Sequence, residues 1–285
     1  MLPESSYSSS ILPKEPLIKI RPSRPWSFID LRDVWAHREL FFFLVWRDVK
    51  VRYKQTLLGA LWVILQPLLM TLIFMVFLGM LVRVPTPGMP YPVFLYAALL
   101  PWTFFSNAVA SSSFSLVASA SMITKVYFPR VLIPAAMVAV RLSDFLIAFV
   151  ILAGLLVYYH IHPTWALLVL PLLVAHLTIL AITIGLLLSS INVKYRDVGT
   201  MIPVMLQLWM FVSPIVYPSI LVPPRWKIVY ELNPLAGIIE NFRACLFGLP
   251  FNRSGLMISA LITLTLLIYS AHVFRRMEDE FADVI

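Results

Sequence analysis

The sequence predicts an all-α integral membrane protein. Six helices should cross the bilayer, with an amphipathic interfacial helix before them and short re-entrant or interfacial helices between the fifth and sixth crossings. Three observations carry this. The 285-residue chain is 60% hydrophobic and only 13% charged, with a mean hydropathy of +0.88; a soluble fold of this length needs more charge to cover its surface. Six stretches are long and apolar enough to cross a ~30 Å hydrocarbon core: 57–82, 92–121, 131–159, 165–191, 199–221 and 256–274. The bases gather at the ends of these stretches, so the formal net charge of +8 reflects membrane orientation and no nucleic-acid partner is expected.

Residues 1–30 form a tail rich in Ser and Pro, without the apolar core of a signal peptide, so the N-terminus should remain on the side of synthesis. Residues 31–56 read as an amphipathic cytoplasmic helix at the interface, with Trp35, Phe42, Val45 and Val49 toward lipid. Arg47, Lys50 and Lys54 recur at i, i+3 and i+7, which places them on one helix face; Arg52 adds a fourth base. From Leu57 to Val82 no ionised side chain appears. The surface thus changes within three residues from a charged ledge to a membrane span. That ledge either anchors to lipid headgroups or meets a partner.

The second span is interrupted by Pro101 and then becomes Ser- and Ala-rich (Ser106, Ser111, Ser112, Ser113, Ser115, Ser119), a composition that lets helices approach closely in lipid. The loop Thr124–Arg130 joins Lys125 and Arg130 to two exposed aromatics, Tyr127 and Phe128. It reads either as an interfacial belt or as a docking surface. Asn192–Val198 is a loop of the same kind. Arg141 and Asp144, near the middle of the third span, are expensive in hydrocarbon and invite a proton-relay hypothesis. Their i, i+3 spacing favours an intramembrane ion pair facing protein instead. His160 and His162 resemble metal ligands but lack nearby Cys, Asp or Glu, so no metal site is expected. His176, inside the fourth span, suits a hydrogen bond between helices. Between the fifth and sixth spans, Asn233 and Pro234 make an N-cap and a preset first helical residue. The following stripe (Leu235, Ile238, Ile239, Phe242, Leu246) fits either a helix dipping into the outer leaflet or one lying flat on it. Residues 276–285 form a second tail, after a six-span domain over 57–275.

Lysine and arginine set the orientation. With the N-terminus inside, the inner loops carry six bases and the outer loops five, which decides little. Arg47, Lys50, Arg52 and Lys54, all beside the first span, decide for two cytoplasmic termini. The single cysteine, Cys245, excludes an intrachain disulfide framework. None of the nine glycines is followed by lysine, so there is no phosphate-cradling loop and no catalytic residue set is expected. Energy for any transport must come from another chain or an ion gradient.

Several motifs, in this order and spacing, resemble the ABC-2 type permease family: Arg47–Trp62, Leu99–Phe105, Ile123–Arg130, Asn192–Asp197, Ser213–Pro218 and Leu232–Glu240. Within that family they are most similar to the subunits that export lipid-linked O-antigen and related cell-surface polysaccharides. The resemblance implies a multi-pass protein of the bacterial cytoplasmic (inner) membrane, working as a homodimer on two copies of a separate cytoplasmic ABC ATPase. ATP and Mg2+ would be bound by that partner and no cofactor by this chain. It also implies that the N-terminal helix (Arg47, Lys50, Arg52, Lys54) and the loop bearing Lys125, Tyr127, Phe128 and Arg130 contact the ATPase. Trp102, Phe104, Phe105, Trp209 and Tyr217 are candidates for an aromatic path along which sugar faces slide, although aromatic residues are ordinary at bilayer interfaces. Rival readings are another ABC-2 cargo (teichoic acid, capsule or a small lipophilic molecule), an enzyme acting on polyprenyl-linked sugars, and ion-coupled transport through Arg141 and Asp144.

Overall fold

The computed structural model describes residues 31–54, 61–82, 84–85, 89–162, 164–278 and 281. The tail expected over 1–30, the junction at 55–60 that opens the first expected span, and most of the tail expected over 276–285 lie outside the described residues. Among the described residues all regular structure is helical, and five helices are long and apolar enough to cross a membrane.

Helices α1 (Leu31–Ala36) and α2 (Arg38–Lys54) lead to α3 (Leu61–Phe74), which runs on as a π-helical stretch over Met75–Leu81. Next comes α4 (Tyr91–Ala118), then the short α5 (Ala120–Ile123) and α6 (Leu132–Tyr158). A 3-10 turn at Trp165–Val169 opens α7 (Leu170–Lys194), and α8 spans Asp197–Val212. Two short helices, α9 (Lys227–Glu231) and α10 (Pro234–Phe247), precede α11 (Arg253–Glu278).

Helix α4 is the centre of the molecule. Within its apolar stretch 78% of residues are buried inside the protein, against 11% in α3, so α3 lies at the periphery and faces lipid or another subunit. Pro101 does not interrupt α4, contrary to the reading from sequence: the helix runs through it. A membrane helix tolerates the missing N–H because packed neighbours and local adjustment satisfy the released carbonyl. Its small residues act as their composition predicts. A Cβ added to Gly185 of α7 would collide with the Ser112 side chain of α4, so glycine there sets how closely the two helices pack. Helices α6 and α7 flank α4, and α11 packs on α7.

The apolar stretch 199–221 is not one helix. Helix α8 stops at Val212, where Ser213 is extended (φ −94°, ψ 151°). The cause is Pro214, whose ring disfavours helical backbone in the preceding residue. At 16 residues, α8 is about 24 Å long. It buries only Gly199, Ile202 and Leu206, leaving Met201, Val204, Met205 and Leu208 exposed.

Two cores result. The larger joins α4, α6 and α7 to α10 and to the segment at Ile215–Val216. The smaller lies at the opposite end, where Leu44 of α2 meets Leu116, Ile123, Phe128, Phe274 and Phe281. The N-terminal helices therefore pack against the end of the bundle from which α6 starts and where α4, α7 and α11 finish.

Candidate functional site

Three regions carry the polar groups: the end of the bundle bearing the N-terminal helices, a charged cavity part-way along it, and a cap at the far end.

At the first end, Lys50 and Lys54 are exposed and Arg47 is paired with Asp48 at 2.8 Å. Trp35, Phe42, Phe43 and Trp46 are also exposed. The loop Thr124–Arg130 divides its four residues of interest. Tyr127 is 91% exposed, the most of any large hydrophobic side chain described, and Lys125 is exposed beside it. Phe128, read from sequence as exposed, is 4% exposed. It anchors the loop in the smaller core, because a loop with a protruding tyrosine needs an apolar foot to hold its position. Arg130 is held from the other side: its backbone N–H donates to the Glu278 carboxylate at 3.3 Å, and its guanidinium donates to the Glu278 carbonyl. The guanidinium also lies 5.9 Å from the Phe281 ring centre. The loop at 192–198 is anchored likewise, with buried Asn192 donating to the Ser113 carbonyl at 3.1 Å and Tyr195 exposed.

Arg52 turns away from the ledge. Its guanidinium lies 3.3 Å from Asp144 Oδ2, and Arg141 reaches the same oxygen at 3.4 Å. Tyr53 donates its hydroxyl to Asp144 Oδ1 at 2.6 Å. Burial first, and then this hydrogen bond, push the Tyr53 phenol well above its usual pKa, so it remains a proton donor. Arg141 also donates to Ser111 Oγ of α4, from Nε at 2.8 Å and from Nη2 at 2.5 Å. The pair expected from i, i+3 spacing is therefore part of a cluster joining α2, α4 and α6. Arg141 and Asp144 lie 9 and 12 residues into α6, about 14 and 18 Å from its start. A cavity of about 320 Å³ opens beside them, lined on its polar side by Arg52, Gln66, Thr103, Asn107, Arg141 and Asp144 and elsewhere by Trp62, Phe104 and Phe145.

The far cap is built on α10. Asn233 accepts at Oδ1 from the Leu235 N–H (3.1 Å) and from the Trp209 indole (3.0 Å), and donates to Ser213 Oγ (2.9 Å). Arg243, placed by the sequence in an outer loop, is 4% exposed. It donates to the carbonyls of Phe94, Pro214 and Ile215 at 3.2, 2.7 and 2.7 Å and stacks 3.5 Å from the Phe94 ring. Burial pulls its pKa down to about 9, opposed by Tyr230 and Glu240, so it stays charged at neutral pH. One cation thus ties α4, α10 and the chain after α8 into a single body.

The five aromatics read as a path are distributed unevenly. Phe105 has no exposed surface and Trp102 is 6% exposed; Phe105 meets Trp209 edge-on at 5.4 Å between ring centres. Phe104 is the one that lines the cavity. Tyr217 donates back to the Val212 carbonyl at 3.2 Å. A ring enclosed by helices offers no face to a passing polymer in this arrangement. His176 bonds Thr263 Oγ1 of α11 at 3.1 Å, which is the helix-to-helix role its position suggests. Among the described residues no three His, Cys, Asp or Glu side chains come together as metal ligands.

The architecture is that of a lipid-embedded helical bundle with a polar cavity and exposed bases at one end, and the family profile of the ABC-2 type transporter matches residues 39–247. The chain belongs to the ABC-2 type transporter family. Its relatives include an O-antigen export system permease protein RfbA of Myxococcus xanthus, 29% identical over 259 residues that cover 90% of this chain and 98% of the relative. An RfbA of Klebsiella pneumoniae is 28% identical over 84% of this chain and 92% of its own length. The polysialic acid transport protein KpsM of Escherichia coli is 26% identical over 82% and 91%. An ABC-2 chain is the membrane subunit of a transporter. The matched region takes in the ledge, the charged cavity and the far cap.

Sequence reasoning missed three contributors. Arg52 and Tyr53 belong to the intramembrane cluster, and the signal available was charge arithmetic, since Asp144 alone balances Arg141 without accounting for a base one turn from the membrane. Gln66 and Asn107 are the polar residues inside otherwise apolar stretches that face the same cavity. Arg243 lies in an apolar run from Ile238 to Leu246, where a lone cation is held only by burial with partners.

Proposed function

We propose that this chain is the permease subunit that exports lipid-linked O-antigen, or a related cell-surface polysaccharide, across the bacterial cytoplasmic membrane. Near-complete alignment with O-antigen export permeases is the observation that carries this reading. The polysialic acid relative favours a capsule-type acidic polymer as the second reading. ATP hydrolysis in a separate ABC ATPase supplies the energy, in keeping with the lack of any Gly-Lys phosphate loop in the sequence. ATP and Mg2+ belong to that partner.

The chain crosses the membrane six times with both termini cytoplasmic. Helix α8 and the turn at 213–218 make the fifth crossing, and α9 and α10 form a re-entrant unit in the outer leaflet, supported by the burial of α10 against α4, α7 and α11. Two copies assemble with two ATPases. The ATPase docks on Arg47, Lys50, Lys54, Lys125 and Tyr127, where an exposed tyrosine on an anchored loop is the contact best suited to receive a push. Arg52 and Arg130 brace that surface from within.

Deletion of the gene followed by complementation tests this. The deletion should abolish the surface polysaccharide and leave its lipid-linked precursor inside the cell, with the wild-type gene restoring export. Normal surface polysaccharide in the deletion strain would overturn the assignment.

A further inference from the structure

The cavity between α2, α3, α4 and α6 carries more positive than negative charge. Arg52 and Arg141 both face one carboxylate, Asp144. Asp48, one turn before Arg52, is engaged by Arg47. The sum over Arg47, Arg52 and Arg141 against Asp48 and Asp144 is one positive charge. At this depth an uncompensated charge is costly, and a counter-ion is the usual remedy. The three bonds of Arg141 to Ser111 and Asp144 use three of the five N–H donors of a guanidinium, which leaves a planar fork able to receive a phosphate. Gln66 and Asn107 add neutral amide donors, while Trp62 and Phe104 supply an apolar wall on the same cavity. Its 320 Å³ is room for about ten waters, so a phosphate group fits with part of its hydration shell. Bases beside aromatic rings suit an amphiphile with an anionic junction.

We propose that this cavity is the seat for the phosphate-ester group at the junction of lipid and glycan in the transported molecule, gripped by Arg141 and Arg52, with Asp144 positioning both guanidiniums. The proposal rests on the export reading above. In it, Asp144 weakens the seat so that cargo is released, and the first part of the lipid chain lies along Trp62 and Phe104.

Binding of a radiolabelled polyprenyl diphosphate to the full-length chain in nanodiscs of neutral phosphatidylcholine tests this. Arg141→Gln should weaken binding about tenfold or more, the loss of one charge-assisted contact, and Asp144→Asn should tighten it. The double variant Arg141→Gln/Asp144→Asn, which removes the pair together and keeps Arg52, should bind better than Arg141→Gln alone. Inorganic pyrophosphate in excess should displace the ligand, and phosphatidylglycerol should not. Equal binding by all variants, or a double variant no better than Arg141→Gln, means a purely structural ion pair and overturns the seat. Displacement by phosphatidylglycerol means a site for ordinary anionic lipid and overturns it too, as does failure of pyrophosphate to compete. If binding follows charge but gene deletion leaves surface polysaccharide unchanged, the export reading fails instead.

Discussion

Arg243→Met should loosen the far cap and nothing else. The wild-type guanidinium gives three bonds to backbone carbonyls, at 3.2, 2.7 and 2.7 Å. Bonds from a charged donor contribute ~1.5–3 kcal/mol each, so the gross loss is ~4.5–9 kcal/mol. Methionine also removes a buried charge, which recovers several kcal/mol of desolvation. The difference leaves a net destabilisation of about 3–5 kcal/mol, much of it from carbonyls stranded without donors. At ~2–4 °C per kcal/mol for a domain of this size, thermal unfolding in detergent should fall by roughly 10 °C. Arg243→Lys keeps the charge but offers a point donor in place of a fork, so it should fall between the two. A melting temperature for Arg243→Met within about 2 °C of wild type would refute the idea that one cation ties α4, α10 and the chain after α8 together.

The remaining predictions concern positions where the two faces of an element differ. Phe128→Ala should cost ~3–5 kcal/mol by opening a cavity in the smaller core, whereas its exposed neighbour Tyr127→Ala should change stability by no more than ~0.5 kcal/mol; paired denaturation curves check both. Gly185→Val forces a side chain into Ser112 and should destabilise by ~1–3 kcal/mol or more, read as lower yield and melting temperature after extraction. Asn233→Ala removes an N-cap and the Trp209 bond together, at about 1–2 kcal/mol, and should also shift the emission of Trp209 in a chain keeping only that tryptophan.

Much of the helical plan was legible from where apolar runs meet bases. Apolar length locates most bilayer-crossing helices because lipid leaves the backbone no other partner. The failures were local. Pro101 reads as a break in isolation, but α4 is held on nearly every side and the helix passes through. Pro214, inside a run that looks equally apolar, ends α8 because its effect on Ser213 meets no opposing packing. Side-chain direction was the harder problem. Tyr127 and Phe128 are adjacent and aromatic, and only the smaller core decides which is buried. The same limit applies to Arg52 and Lys54, two residues apart on α2 yet facing Asp144 and solvent. Pairing of Arg141 with Asp144 followed from helix spacing, while the participation of Arg52, Tyr53 and Ser111 depended on contacts between helices distant in sequence.

The central claim is that this chain moves a lipid-linked glycan only when a separate ATPase pushes on the surface around Lys125 and Tyr127. Proteoliposomes holding the full-length chain, its ATPase and a fluorescent lipid-linked oligosaccharide measure this directly, with wild type compared against Lys125→Glu/Tyr127→Ala. The account predicts ATP-dependent transfer with wild type and none with the double variant, at unchanged melting temperature. Transfer that persists without the ATPase, or that the double variant supports at the wild-type rate, would contradict it.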